Sequence, residues 1–225
     1  MAFLAVPDPA VPEVAEAFGT RLPVAASIVH VSGSLPLAAV GAARQAGHRT
    51  GSFHPFQSFP AVRQPEAFSG CLVGVDATDE ELAGHLFQLA LDIGGRARRV
   101  PDEQRALYHV AAVLSSNLVL GLAGSATSVL ESIGWTEEEA LDALIPLLSG
   151  VVENLRTEGL GGALIGPIRR GEAATVRRHL TELQRRGLEE PTKVYRILGM
   201  ATLELALATG LDKASGEQIR EALTG

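Results

Sequence analysis

The sequence predicts an α/β half followed by an all-α half, and two observations carry that prediction. Through the first hundred residues, short apolar runs alternate with helical patterns; after Pro101 the strand-like runs stop. Alternation of this kind implies a mostly parallel sheet with crossover helices, here over residues 1–100, with a helical domain over 101–225.

The strand-like runs are Phe3–Val6, Ser27–Val31, Arg49–Phe53, Cys71–Val75 and Ala97–Val100. Between them, Val11–Phe18, Pro36–Ala46 and Asp79–Ile93 carry helical patterns. Asp8 before Pro9, and Thr78-Asp79-Glu80-Glu81, are helix-start signals. Asp102 to Ile133 reads as one long helix, opened by Pro101, Asp102 and Glu103 and closed at Gly134. Its density of alanine and glycine suits a central helix closely approached by others, and a helix of that length invites burial by a second copy of the chain. Thr136-Glu137-Glu138-Glu139 has the pattern of a capping box and opens a helix towards Glu158. A glycine-rich break spans Gly159–Gly171, and helices follow near Glu172–Arg186, Pro191–Thr209 and Ser215–Leu223.

Bulk composition narrows the function classes. With 46% hydrophobic and 20% charged residues the chain reads as globular. A net charge of −7 leaves no electrostatic footprint for general nucleic-acid binding. The lone Cys71 excludes an intramolecular disulfide, and with no secretory pattern at the start it fits a cytoplasmic protein. Ala106–Leu130 has no Asp, Glu, Lys or Arg, which suggests a membrane span; however, His109, Asn117 and five Ser or Thr residues within it favour a helix buried in protein, so no membrane partner is expected.

Neither G-x-G-x-x-G nor G-x-x-x-x-G-K-[ST] occurs; Gly159-Leu160-Gly161-Gly162 begins the first pattern but has Leu164 at its last position and follows a helix. The six histidines form no metal-ligand spacing, so no metal site and no metal-dependent hydrolase is expected. His30 and His54 differ from the rest because both end predicted strands, in HVSGS and SFHPFQSFP, on the edge where open α/β sheets bind ligands. Capping of a strand end is the structural alternative for both. Asn117 follows His109 by eight residues, which returns near the same helix face. These two either bond internally between helices or line a cleft and hold a substrate oxygen. Arg169, Arg170, Arg177 and Arg178 surround a helix start after the Gly166-Pro167 turn; they make either an anion site or a solvated face with Glu172 as a local partner.

Taken in order, LAVPD, HVSGS, SFHPFQSFP, YHVAAVLSSN and ALIGPIRRGE with TVRRHL resemble Rossmann-like, short-subunit dehydrogenase-like oxidoreductases whose C-terminal half is domain of unknown function 2520. The resemblance covers essentially the whole chain. It implies a Rossmann-like sheet joined to a helical domain similar to the C-terminal part of 6-phosphogluconate dehydrogenase, an NADP or NAD cofactor, and a homodimer through the helical half. It places Val6, Pro7 and Asp8 beside the cofactor and Ser32 and Gly33 near its nicotinamide. His54, Asn117, Gly166, Pro167 and Arg170 fall at signature positions around an interdomain cleft. His54 or His109 is the expected proton donor or acceptor, because imidazole titrates near neutrality. Ile165 and Glu172 depart from the family's usual threonine and aspartate. Family members also begin with a strand and a glycine-rich turn ahead of the LAVPD segment, so the resemblance implies that part of the Rossmann sheet, with the pyrophosphate site, is missing. The function expected is therefore pyridine-nucleotide-dependent oxidation or reduction of a small, anionic substrate; the alternative is a non-catalytic truncated remnant, a dimeric small-ligand-binding protein.

Overall fold

A computed structural model describes all of residues 1–225, which form two compact units, Met1–Leu118 and Val119–Gly225. In the first, strands β1 (Ala2–Leu4), β2 (Ser27–His30), β3 (Arg49–Pro55), β4 (Leu72–Ala77) and β5 (Arg96–Arg99) lie side by side in chain order. β1, β2 and β3 run parallel, as do β4 and β5, whereas β3 and β4 are antiparallel. The crossovers account for this. A parallel neighbour needs a return connection, supplied by α1 (Val11–Arg21), by a 3-10 turn at Leu37–Val40 leading into α2 (Gly41–Gln45), and by α3 (Glu80–Asp92). Between β3 and β4, however, Pro60 and Pro65 interrupt any helix, only the 3-10 turn Pro65–Phe68 forms, and the chain doubles back. The mostly parallel α/β sheet expected from the alternation is thus observed, with one reversed strand pair.

Adjacent residues on β2 point to opposite faces. Ile28 packs with Leu4, Val11, Ala15, Val40 and Ala43 under α1 and α2, and Val29 with Phe53, Val73, Val75, Leu82 and Leu86 under α3, so helices cover both faces. Gly51 permits the second packing: a Cβ there would sit 3.0 Å from the Leu86 side chain and from the Asp76 carbonyl. The predicted start of α3 holds, with the Asp79 carboxylate accepting from the Leu82 amide at 2.9 Å.

The expected single helix Asp102–Ile133 is interrupted. α4 (Asp102–Ser115) and α5 (Asn117–Glu131) are separated by Ser116, whose backbone leaves the helical region at φ −131°, ψ −78°. Its hydroxyl donates to the Ala112 carbonyl at 2.6 Å, a local bond that competes with helix propagation. The expected burial by neighbouring helices is not met within the chain either, since Leu107, Val110, Leu114, Leu118 and Leu120 are all exposed.

In the second unit, α6 (Glu137–Gly162) opens with the predicted capping box: Thr136 accepts from the Glu139 amide at 3.2 Å, and the Glu139 carboxylate accepts from the Thr136 amide at 2.8 Å. At the expected break after Glu158 the backbone leaves the helical region at Gly159 (φ 68°, ψ −180°), and a short further turn carries the chain to Gly162. α7 (Ala173–Arg185), α8 (Glu189–Ala208) and α9 (Lys213–Thr224) enclose this unit's core of Val176, Leu180, Leu203, Ala206, Ile219 and Leu223. By contrast, Ala140 is the only buried residue of α6.

Candidate functional site

The C-terminal ends of β1, β2 and β3 lie together because the three strands are parallel and in register. Asp8, in the turn after β1, accepts a hydrogen bond from the Ser34 hydroxyl at 2.7 Å. After β2, the Ser32 hydroxyl accepts from the amides of Ser34 (3.2 Å) and Leu35 (3.1 Å), which folds the loop into a tight turn around Gly33. His54 stands near the end of β3, above that turn. A Cβ at residue 33 would lie 2.7 Å from His54 Cε1 and Nε2 and 2.9 Å from His109 Cδ2. Only glycine lets the two imidazoles converge there, their ring centres 6.2 Å apart.

α4 supplies the other wall. Arg105, Tyr108 and His109 are spaced i, i+3 and i+4, so they share one helix face. Tyr108 lies against β4, where Gly74 makes room: a Cβ there would be 2.9 Å from the phenolic oxygen. That oxygen is 3.1 Å from His54 Nδ1 and 3.2 Å from the His54 carbonyl. Arg105 is 1% exposed; it donates to the Ser52 hydroxyl and, at 3.4 Å, to the Ser32 carbonyl, and it pairs with Asp102 at 3.4 Å. The Asp102 carboxylate also accepts from the Leu37 amide at 2.9 Å, so one helix N-terminus ties β2, β3 and the following turn together.

Burial sets the protonation states. It lowers the His54 pKa to about 4, with His109 and Arg105 pushing the same way, and lowers that of His30 to about 4, with Arg105 assisting. Tyr108 is raised to about 12, again chiefly by burial. Near pH 7, therefore, His30 and His54 are neutral imidazoles and Tyr108 is a protonated phenol. His30 is fully buried, and neither of its ring nitrogens has a hydrogen-bond partner.

Of the residues singled out from the sequence, the fold brings Asp8, Ser32, Gly33, His54 and His109 together. Val6 packs on the α1–α2 core, and Pro7 is exposed. Asn117 is exposed at the start of α5, its amide oxygen 3.0 Å from the Ser116 hydroxyl; the eight-residue spacing to His109 applies only along an unbroken helix, and Ser116 breaks it. Gly166 (φ 94°), Pro167 and Arg170 belong to the second unit, where Arg170 forms a two-bond pair with Glu172 (2.6 and 3.2 Å) and Arg169 donates to the Thr209 carbonyl at 3.2 Å. Two of the four clustered arginines are thus occupied locally. Sequence reasoning passed over Arg105, Ser52 and Gly74. The i, i+3, i+4 spacing on α4 was the signal available for Arg105.

The residues present do not fit a dinucleotide pyrophosphate. Such a group needs free amides at a helix N-terminus. At α1, Pro9 and Pro12 lack amide hydrogens, the Ala10 amide is bonded to Pro7, and Asp8 and Glu13 place carboxylates there. After β2, the amides of Ser34, Leu35 and Leu37 are taken by Ser32 and Asp102.

Two solved structures share the fold: a Bacteroides fragilis protein provisionally named an NADP oxidoreductase (21% identity, 97% of this chain against 74% of that one, TM-score 0.71) and a Thermotoga maritima protein (24% identity, 97% against 77%, TM-score 0.68). No curated protein matches the sequence. Residues 71–202, over half of the chain, match the family described as domain of unknown function 2520 (DUF2520), and the chain belongs to that family.

Proposed function

We propose that this chain belongs to a nicotinamide-dependent oxidoreductase acting on a small, anionic substrate, with His54 and His109 handling the substrate's proton. The observation that carries the proposal is the convergence of the two imidazoles over Gly33 at the C-terminal edge of three parallel strands. The shared fold with a protein provisionally named an NADP oxidoreductase supports the cofactor class, NADP or NAD. The chain's own residues orient the substrate and hold its proton, and the pyrophosphate needs a cradle that residues 1–225 do not provide.

Titration with NADPH and NADP, followed by calorimetry and by the ring signals of His54 and His109, tests this. The expected result is a shift of both rings with affinity weaker than about 1 mM, near −4 kcal/mol. Rings unmoved at saturation overturn the cofactor assignment, and binding tighter than about 1 mM overturns the fit argument. The second reading, a non-catalytic small-ligand-binding protein, is the one left standing if the rings do not respond.

We further propose that the helical unit pairs with a second copy of the chain. Leu120 on α5, Ile133, Ile145 and Val152 on α6, and Ile197 on α8 are exposed, and Ile145 and Val152, seven residues apart, share one face of α6, so the unit offers apolar side chains to a partner. A groove of about 830 Å³ in the same unit, lined by Ala126, Val129, Leu183, Val194 and Leu198, gives a partner helix a seat. Sedimentation is expected to show a dimer that Ile145→Glu with Val152→Glu disrupts. A micromolar monomer, or a chain that partitions into lipid vesicles instead, overturns the pairing.

A further inference from the structure

The Tyr108 hydroxyl has one proton and two neighbours on the same residue. Its oxygen lies 3.2 Å from the His54 carbonyl oxygen and 3.1 Å from His54 Nδ1. Both contacts are hydrogen bonds at once only if the phenolic proton goes to the carbonyl, which can only accept, and Nδ1 carries a proton and donates it to the phenolic oxygen. Neutral imidazole has one ring proton, which leaves Nε2 as a bare lone pair. Nε2 makes no hydrogen bond within the chain, and it packs against Gly33, 2.7 Å from where a Cβ there would be.

We infer that Tyr108 is a positioning residue that holds His54 in its Nδ1–H tautomer, so that Nε2 is left as a hydrogen-bond acceptor, able to take a proton, rather than a donor. The inference rests on the reading of His54 as a functional group, and it decides between donor and acceptor, which that reading left open. The surroundings enforce it. Tyr108 is held in place by Phe56, whose ring centre is 5.0 Å away, and by the space over Gly74. The charged and titratable groups around His54 are Arg105, His109, His30 and Asp8. Arg105 opposes protonation of the ring; Asp8, the one carboxylate near it, is engaged by Ser34.

Long-range proton–nitrogen spectra of histidine-labelled protein near neutral pH test this directly, with His54 assigned by its loss in His54→Gln. The expected spectrum has a protonated Nδ1 and an unprotonated Nε2. A protonated Nε2 in the parent protein overturns the inference without any variant having to fold. In Tyr108→Phe, a shift towards the mixed tautomers of free imidazole supports the positioning role, and an unchanged pattern refutes it. The NADPH titration fails independently: an Nδ1–H tautomer with rings blind to NADPH removes the oxidoreductase reading alone.

Discussion

Placing a single methyl group at residue 33 tests the geometry of the site at its tightest point. In Gly33→Ala the new Cβ would lie 2.7 Å from two atoms of the His54 ring and 2.9 Å from His109. Carbon contacts become favourable only near ~3.5 Å, so the His54 ring must withdraw by roughly 0.8 Å. It cannot do so freely, because Tyr108 bonds both its Nδ1 and its carbonyl. Overpacking of this kind costs about 1–3 kcal/mol. For a unit of this size about 1 kcal/mol moves the melting midpoint by ~4 °C, so the first unit is expected to melt ~4–12 °C lower. Calorimetry would read that transition, and the ring signals of His54 and His109 would report the displacement. In a His54→Ala background the same substitution should cost less than half as much, since most of the clash has been removed. A Gly33→Ala protein melting within about 1 °C of the parent, with unshifted rings, refutes the convergence of the two imidazoles.

The remaining predictions concern the buried titratable groups of the site and the arginine beneath it. His30 and His54 have folded pKa values of about 4 against 6.5 for the unfolded chain, so the unfolded state binds more protons between those limits. Stability is therefore expected to be full above pH 6.5 and to fall as pH drops towards 4; denaturant midpoints that stay level across that window contradict it. Arg105→Met removes the donors that hold Ser52 and the Ser32 carbonyl, at a cost of about 1–3 kcal/mol in urea unfolding, and raises the His54 pKa in an NMR titration. No change in either quantity would mean that Arg105 is an incidental burial.

Particular residues show how much of this was legible. The candidate histidine of the site was readable because a histidine at the end of a predicted parallel strand lies at the ligand edge by topology alone. Arg105 was not, because a lone arginine near the start of a helix looks solvated until the sheet that covers it is known. Asn117 illustrates the opposite error: its spacing from His109 assumed a straight helix, and a Ser116 hydroxyl bonded to Ala112 breaks that premise.

By itself, the sequence determined what depends on neighbours along the chain. Apolar periodicity marked the strand and helix positions, and Asp79 and Thr136 capped their helices as local chemistry requires. The folded chain decided what depends on contacts between distant segments. Proline in the link after β3 reversed β4; Gly33, marked in sequence only through the family resemblance, and Gly74, unmarked, became the two points of close approach that set His54 against Tyr108 and His109. A glycine's importance lies in the atom it lacks, and only the packing around it shows what that atom would have touched.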